Sequence, residues 1–121
     1  MNRNAHGLAV IAAVFLVTIT AAVAKRAAAP VVAPVRVGAV EYRAPNNDGQ
    51  RGYIQAWDHA ATNKLWEVTV FTNSIDPNLE QDVQHTYINS LAVSGDAIVV
   101  TDEAGREFSV HQTTRKVSRK K

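Results

Sequence analysis

The chain contains no cysteine, which excludes disulfides, a thiolate nucleophile, a cysteine-ligated zinc and an N-terminal cysteine for lipid attachment. Stability must come from packing and hydrogen bonds alone. Charge of one sign is missing from both ends, because all eleven acids lie within residues 37–112. Arg3, Lys25, Arg26 and Arg36 precede them, and Arg115, Lys116, Arg119, Lys120 and Lys121 follow. An acidic body with basic ends does not carry the positive field that nucleic acid requires, although the overall pI is ≈ 9.2, so no nucleic-acid partner is expected. Beyond residue 36 no window offers an apolar stripe of helical period and length.

What is present begins with an uncharged apolar run, residues 8–24, behind a short start that contains Arg3. It reads as an export segment, either a cleaved signal peptide or a retained membrane-anchor helix. Ala22-Val23-Ala24 has the small-x-small form of a cleavage site, while the run approaches the ~17 to 25 residues that span a bilayer. No polar face interrupts it, which excludes a half-buried core helix. The expected location is therefore outside the cytoplasm, periplasmic or inner-membrane-anchored and facing the periplasm. Residues 25–36 follow as an Ala/Pro spacer in which Pro30 and Pro34 favour extended backbone.

Residues 37–112 read as an all-β domain, a small antiparallel meander or open barrel of about six strands. Period-two segments are predicted at 37–43, 52–57, 64–73, 83–93, 97–102 and 106–112. Residues 44–51 supply loop chemistry, and Ser94-Gly95-Asp96 and Asp102-Glu103-Ala104-Gly105 supply hairpin turns. Asp76 and Pro77 are placed to cap one helical turn within 74–82. The predicted core includes Val40, Tyr42, Ile54, Trp57, Leu65, Trp66, Val68, Val70, Phe71, Tyr87, Ile88, Leu91, Ile98, Val99, Val100, Phe108 and Val110. Residues 113–121 read as a basic disordered tail.

The segment from Ala56 runs Ala-x-Asp-x-x-x-Thr-Asn-Lys-x-Trp, formed by Ala56, Asp58, Thr62, Asn63, Lys64 and Trp66. This spacing resembles the blade repeat of quinoprotein-type (PQQ-dependent dehydrogenase-like) β-propellers. The resemblance implies that Asp58 and Thr62 close a turn between two strands and that Trp66 docks on a neighbouring blade. Asn63 stands where the family has Gly and would take the left-handed conformation. Asp102, with Gly105 and Phe108 beyond it, marks a fainter second copy. A propeller needs ~4 to 8 four-stranded blades, so no closed ring forms from this chain and the family's quinone site carries over to no residue. The stretch Asp76-Pro77-Asn78-Leu79-Glu80-Gln81-Asp82-Val83-Gln84, behind the same hairpin, is also similar to small exported bacterial proteins.

Chemistry-bearing patterns are sparse. Asp76, Asn78, Glu80 and Asp82 alternate as in a calcium loop, but Gln81 and Tyr87 stand where such a loop needs Gly and Glu. His59, His85 and His111 have no metal-ligand spacing, and no serine lies in a nucleophile-elbow setting. No catalytic residue, metal or cofactor is expected. The expected function is a non-enzymatic exported module that associates with an envelope protein or with itself. Trp57 and Trp66 form its candidate interaction surface. Arg115, Lys116, Arg119, Lys120 and Lys121 are the candidates for binding an anionic surface, and the membrane is a partner if the first segment stays uncleaved. The alternative is an accessory or ligand-binding subunit of a quinoprotein-like redox system.

Overall fold

The computed structural model describes residues 28–60 and 62–120. The export segment 1–24 and the first three residues of the spacer that follows, 25–27, lie outside the described residues, as do Ala61 and Lys121. Among the described residues no helix is long and apolar enough to cross a membrane.

The described chain is all β, as the period-two patterns require, with eight strands rather than six. They are β1 (Val35–Val37), β2 (Val40–Arg43), β3 (Arg51–Asp58), β4 (Asn63–Thr72), β5 (Ile88–Ser94), β6 (Ala97–Asp102), β7 (Glu107–His111) and β8 (Val117–Arg119). They form two four-stranded antiparallel meanders, β1-β2-β3-β4 and β5-β6-β7-β8. The domain differs from expectation at both ends. The predicted strand 37–43 is split by a tight turn in which Gly38 takes φ 60°, and the final residues of the spacer form β1. The basic tail is not a disordered end, because Val117–Arg119 pairs with β7 and Val117 packs against the core. A short strand that carries Arg119 and is flanked by Lys116 and Lys120 suits a sheet edge, where solvated cations discourage pairing with other chains.

The link between the sheets also differs from its expected form. No helix starts at Pro77; Asp76 Oδ1 accepts from Asn78 N–H at 2.9 Å and closes a turn there. A single 3₁₀ turn follows at Asp82–Gln84. β5 begins only at Ile88, five residues after the expected Val83.

One core joins the two sheets. It contains Tyr42, Ile54, Ala56, Val70 and Phe71 from the first, and Ile88, Leu91, Ile98, Val100, Phe108 and Val110 from the second. Each fully buried aliphatic side chain contributes about 1.5 to 3 kcal/mol relative to exposure. Phe71 and Phe108 stack across the sheets at 5.3 Å between ring centroids, and the Arg106 guanidinium lies over both rings. Leu65, Trp57, Tyr87 and Val99, all predicted as core, lie outside it. β4 carries extra residues at Leu65 and Val70 where its register with β3 shifts. The first of these bulges turns Leu65 toward solvent, where it is 49% exposed.

Candidate functional site

The spacer does not hang free. From residue 28 it packs along the first sheet: Val32 joins the core, and the Pro30 carbonyl accepts from Asn46 Nδ2 at 3.0 Å. Its two prolines hold it extended, so it forms a wall rather than a cover. Between this wall and the 43–45 corner lies a groove of about 440 Å³ lined by Pro30, Val31, Val32, Pro34, Arg43, Ala44, Pro45 and Gln55. Its walls are aliphatic and proline-rich. Its polar groups are Arg43 and Gln55, which stand opposite one another on β2 and β3.

Both belong to a lattice that clothes the outer face of the first sheet. The Arg43 guanidinium lies 4.5 Å from the centroid of Trp57 and donates to Glu41 Oε1 at 2.6 Å. That bond holds the Glu41 carboxyl below its ordinary range. Trp57 Nε1 donates to Gln55 Oε1 at 2.9 Å. One row further, Arg51 lies over the Tyr53 ring at 4.0 Å and donates to Glu67 Oε2, Thr69 Oγ1 and Asp48 Oδ2. Tyr53 Oη donates to Asn47 Oδ1. Glu67 also accepts from Gln55 and Lys64. The Arg51 bond first, and then the Gln55 bond, draw the Glu67 carboxyl down to about 2. Cations stacked on aromatic faces and tied to carboxylates make this surface stiff as well as polar.

The residues predicted to close the first hairpin do meet. Asp58 Oδ1 accepts from Ala60 N–H at 3.0 Å, Thr62 N–H donates to the Asp58 carbonyl at 2.8 Å, and Asp58 pairs with Asn63. The left-handed residue is Thr62, with φ 56°, one position before the Asn63 that the propeller resemblance points to; Asn63 already belongs to β4. Asp102 closes its turn with the same bond, accepting from Ala104 N–H at 3.0 Å. The two hairpins nevertheless occupy different places, β3-β4 in one sheet and β6-β7 in the other. Ala56 is fully buried opposite Trp66, and Lys64 Nζ reaches Glu67 at 3.2 Å.

Trp57 and Trp66 do not share a surface. Trp66 pairs with Ala56 and faces the core, whereas Trp57 pairs with Glu41 and Lys64 on the outer face. Strand alternation separates them by the thickness of the sheet. Trp66 lies against Tyr42, and the Arg115 guanidinium covers it from the second sheet at 5.3 Å. That contact removes Arg115 from any single cationic patch. Lys116 stands beside His111 and Lys120 beside Glu107, at opposite ends of β7, so the described tail cations are spread along an edge.

Sequence reasoning missed Arg43, Gln55 and Asn46 as site residues. Arg43 and Gln55 alternate outward on their strands like any surface residue, and only the docked spacer makes them a groove. Among the described residues no three His, Asp or Glu side chains gather as a metal centre would require. No family model, no curated protein and no solved structure matches this chain.

Proposed function

We propose that this chain is a non-enzymatic binding module of the cell envelope, which takes an extended segment of a partner protein into the groove between its spacer and β2-β3. The docking of residues 28–34 carries this reading. A proline-containing segment held through the Pro30 carbonyl and Val32 leaves an aliphatic channel open beside Arg43 and Gln55. Such a channel suits an extended apolar peptide, with Gln55 able to bond its backbone and Arg43 to meet an acidic group. Fixed walls also lower the ordering cost of binding.

Val31 is 99% exposed at the groove and accepts a photo-crosslinkable residue without disturbing the core. The expected result in intact cells is a discrete crosslinked adduct that disappears when Gln55→Trp fills the groove. An adduct pattern indifferent to Gln55→Trp overturns the reading.

The second reading, an accessory to a quinoprotein-like redox system, draws on the two four-stranded meanders, each of the size of a propeller blade. Quinone-dependent turnover with a dye-linked acceptor, obtained on adding the chain to such a system, supports it. Turnover unchanged by the chain rejects it.

A further inference from the structure

The longest connection in the described chain, residues 73–87, is a braced loop. The Gln84 carboxamide accepts from Asp76 N–H at 2.7 Å and donates to the carbonyls of Asp76 and Glu80, both at 3.0 Å. So held, the loop presents Leu79, 59% exposed, and Val83, 50% exposed, beside the solvated Glu80. Beyond it, Tyr87 N–H donates to Glu103 Oε1 and Glu103 N–H to the Tyr87 carbonyl, each at 3.0 Å. These bonds tie the loop to the 102–105 turn. On that turn lies a shallow cleft of about 360 Å³ lined by Ala104, Gly105, Arg106, Glu107, Arg119 and Lys120. Arg106 is committed to Asp102 at 2.6 Å and Lys120 reaches Glu107 only at 3.5 Å. Arg119 has no ion-pair partner among the described residues.

We propose that this end of the molecule is a self-association surface, on which Leu79 and Glu80 of one copy seat in the Ala104–Arg119 cleft of a second copy. The inference rests on the reading of the chain as an association module and names one of its partners. Chemical complementarity selects the occupant. Leu79 finds the small, side-chain-poor floor of Ala104 and Gly105, while Glu80 meets Arg119 and Lys120. An anionic lipid surface would satisfy the cations but repel the carboxylates of Asp76 and Glu80 on the loop tied to that turn. A basic partner would satisfy the loop and leave Arg119 unmet. A second copy answers both, and because the base of the loop is tied to the turn that bears the cleft, a two-fold arrangement that uses each contact twice is the symmetry we assign.

The absence of cysteine makes the test clean. Full-length Glu80→Cys and Arg119→Cys chains are mixed under mild oxidation and resolved without reductant. The expected product is a mixed disulfide dimer well above either variant alone and above a control pair of Glu80→Cys with Arg36→Cys. Glu80→Lys or Arg119→Glu alone should weaken association at least ~10-fold, and the two reversals together in one chain should restore it. Melting curves matching the parent keep these surface variants comparable. Crosslinking no greater than the control, or association indifferent to the reversals, overturns the proposal. The groove adduct at Val31 would survive that outcome, so failure here is separable from failure of the groove reading.

Discussion

The Asn46 carboxamide binds both backbone groups of Ile88, accepting from its N–H at 3.1 Å and donating to its carbonyl at 2.8 Å. Asn46 thereby acts as a one-residue strand laid against the start of β5. The loop of one sheet satisfies the other sheet's exposed edge by this means, while the same nitrogen reaches the Pro30 carbonyl. The residue is buried and takes φ 55°, a conformation that Asn tolerates better than most side chains.

Asn46→Ala should therefore be among the most damaging single substitutions, at about 2 to 4 kcal/mol. It leaves the Ile88 N–H and carbonyl unpaired in a buried place and adds strain at a positive φ. Urea unfolding measures the loss. A value under about 0.5 kcal/mol would mean that water replaces the amide at no cost.

Gly52→Ala should destabilise by about 1 to 3 kcal/mol through overpacking. Gly52 lies opposite Phe71, and a Cβ there would stand 2.2 Å from the ring. The same ring stacks on Phe108, so it cannot withdraw without opening the contact between sheets. Pairing Gly52→Ala with Phe71→Leu should lose less than the sum of the two alone, which a double-mutant cycle by thermal unfolding reads directly.

Asn46 and Gly52 differ from the strands around them in how far the amino-acid sequence reveals their roles. Long period-two runs mark β3, β4, β6 and β7, and Gly95, Gly105 and Asp102 mark their turns. Three-residue strands such as β1 and β8 are too short to display a period, and the proline and cation content around them points instead to a spacer and a solvated end. The bulges of β4 reset its alternation, so spacing alone cannot assign Leu65 to a face. Asn46 reads as one loop residue among several, because its partners lie in Pro30 and Ile88, far off in the chain. The groove is illegible for the same reason: it exists only once the spacer docks.

The two tryptophans should respond differently to truncation. Trp66→Ala removes a half-buried ring packed on Tyr42 and beneath Arg115, and should cost about 2 kcal/mol, less than a fully buried Trp. Trp57→Ala loses a surface stack on Arg43 and should cost no more than about 1 kcal/mol. Chemical denaturation of both variants tests the order. Equal losses would contradict their placement on opposite faces of the sheet.

Acid should weaken the first sheet through Glu67. Its carboxyl is held at about 2, by the Arg51 hydrogen bond first and the Gln55 amide next. A folded pKa below the unfolded one means that the contribution is complete above the ordinary carboxylate range of roughly 4.3. It is lost as pH falls from there toward 2, because only the unfolded chain then takes up the proton readily. The group faces solvent, so screening limits the effect to about 1 kcal/mol. Glu67→Gln should lower stability at neutral pH and flatten the fall in stability between these limits. High salt should reduce the difference between parent and variant. Parallel pH profiles for the two chains would show that Arg51, although bonded to Glu67, Thr69 and Asp48, holds β3 to β4 without drawing on the Glu67 charge.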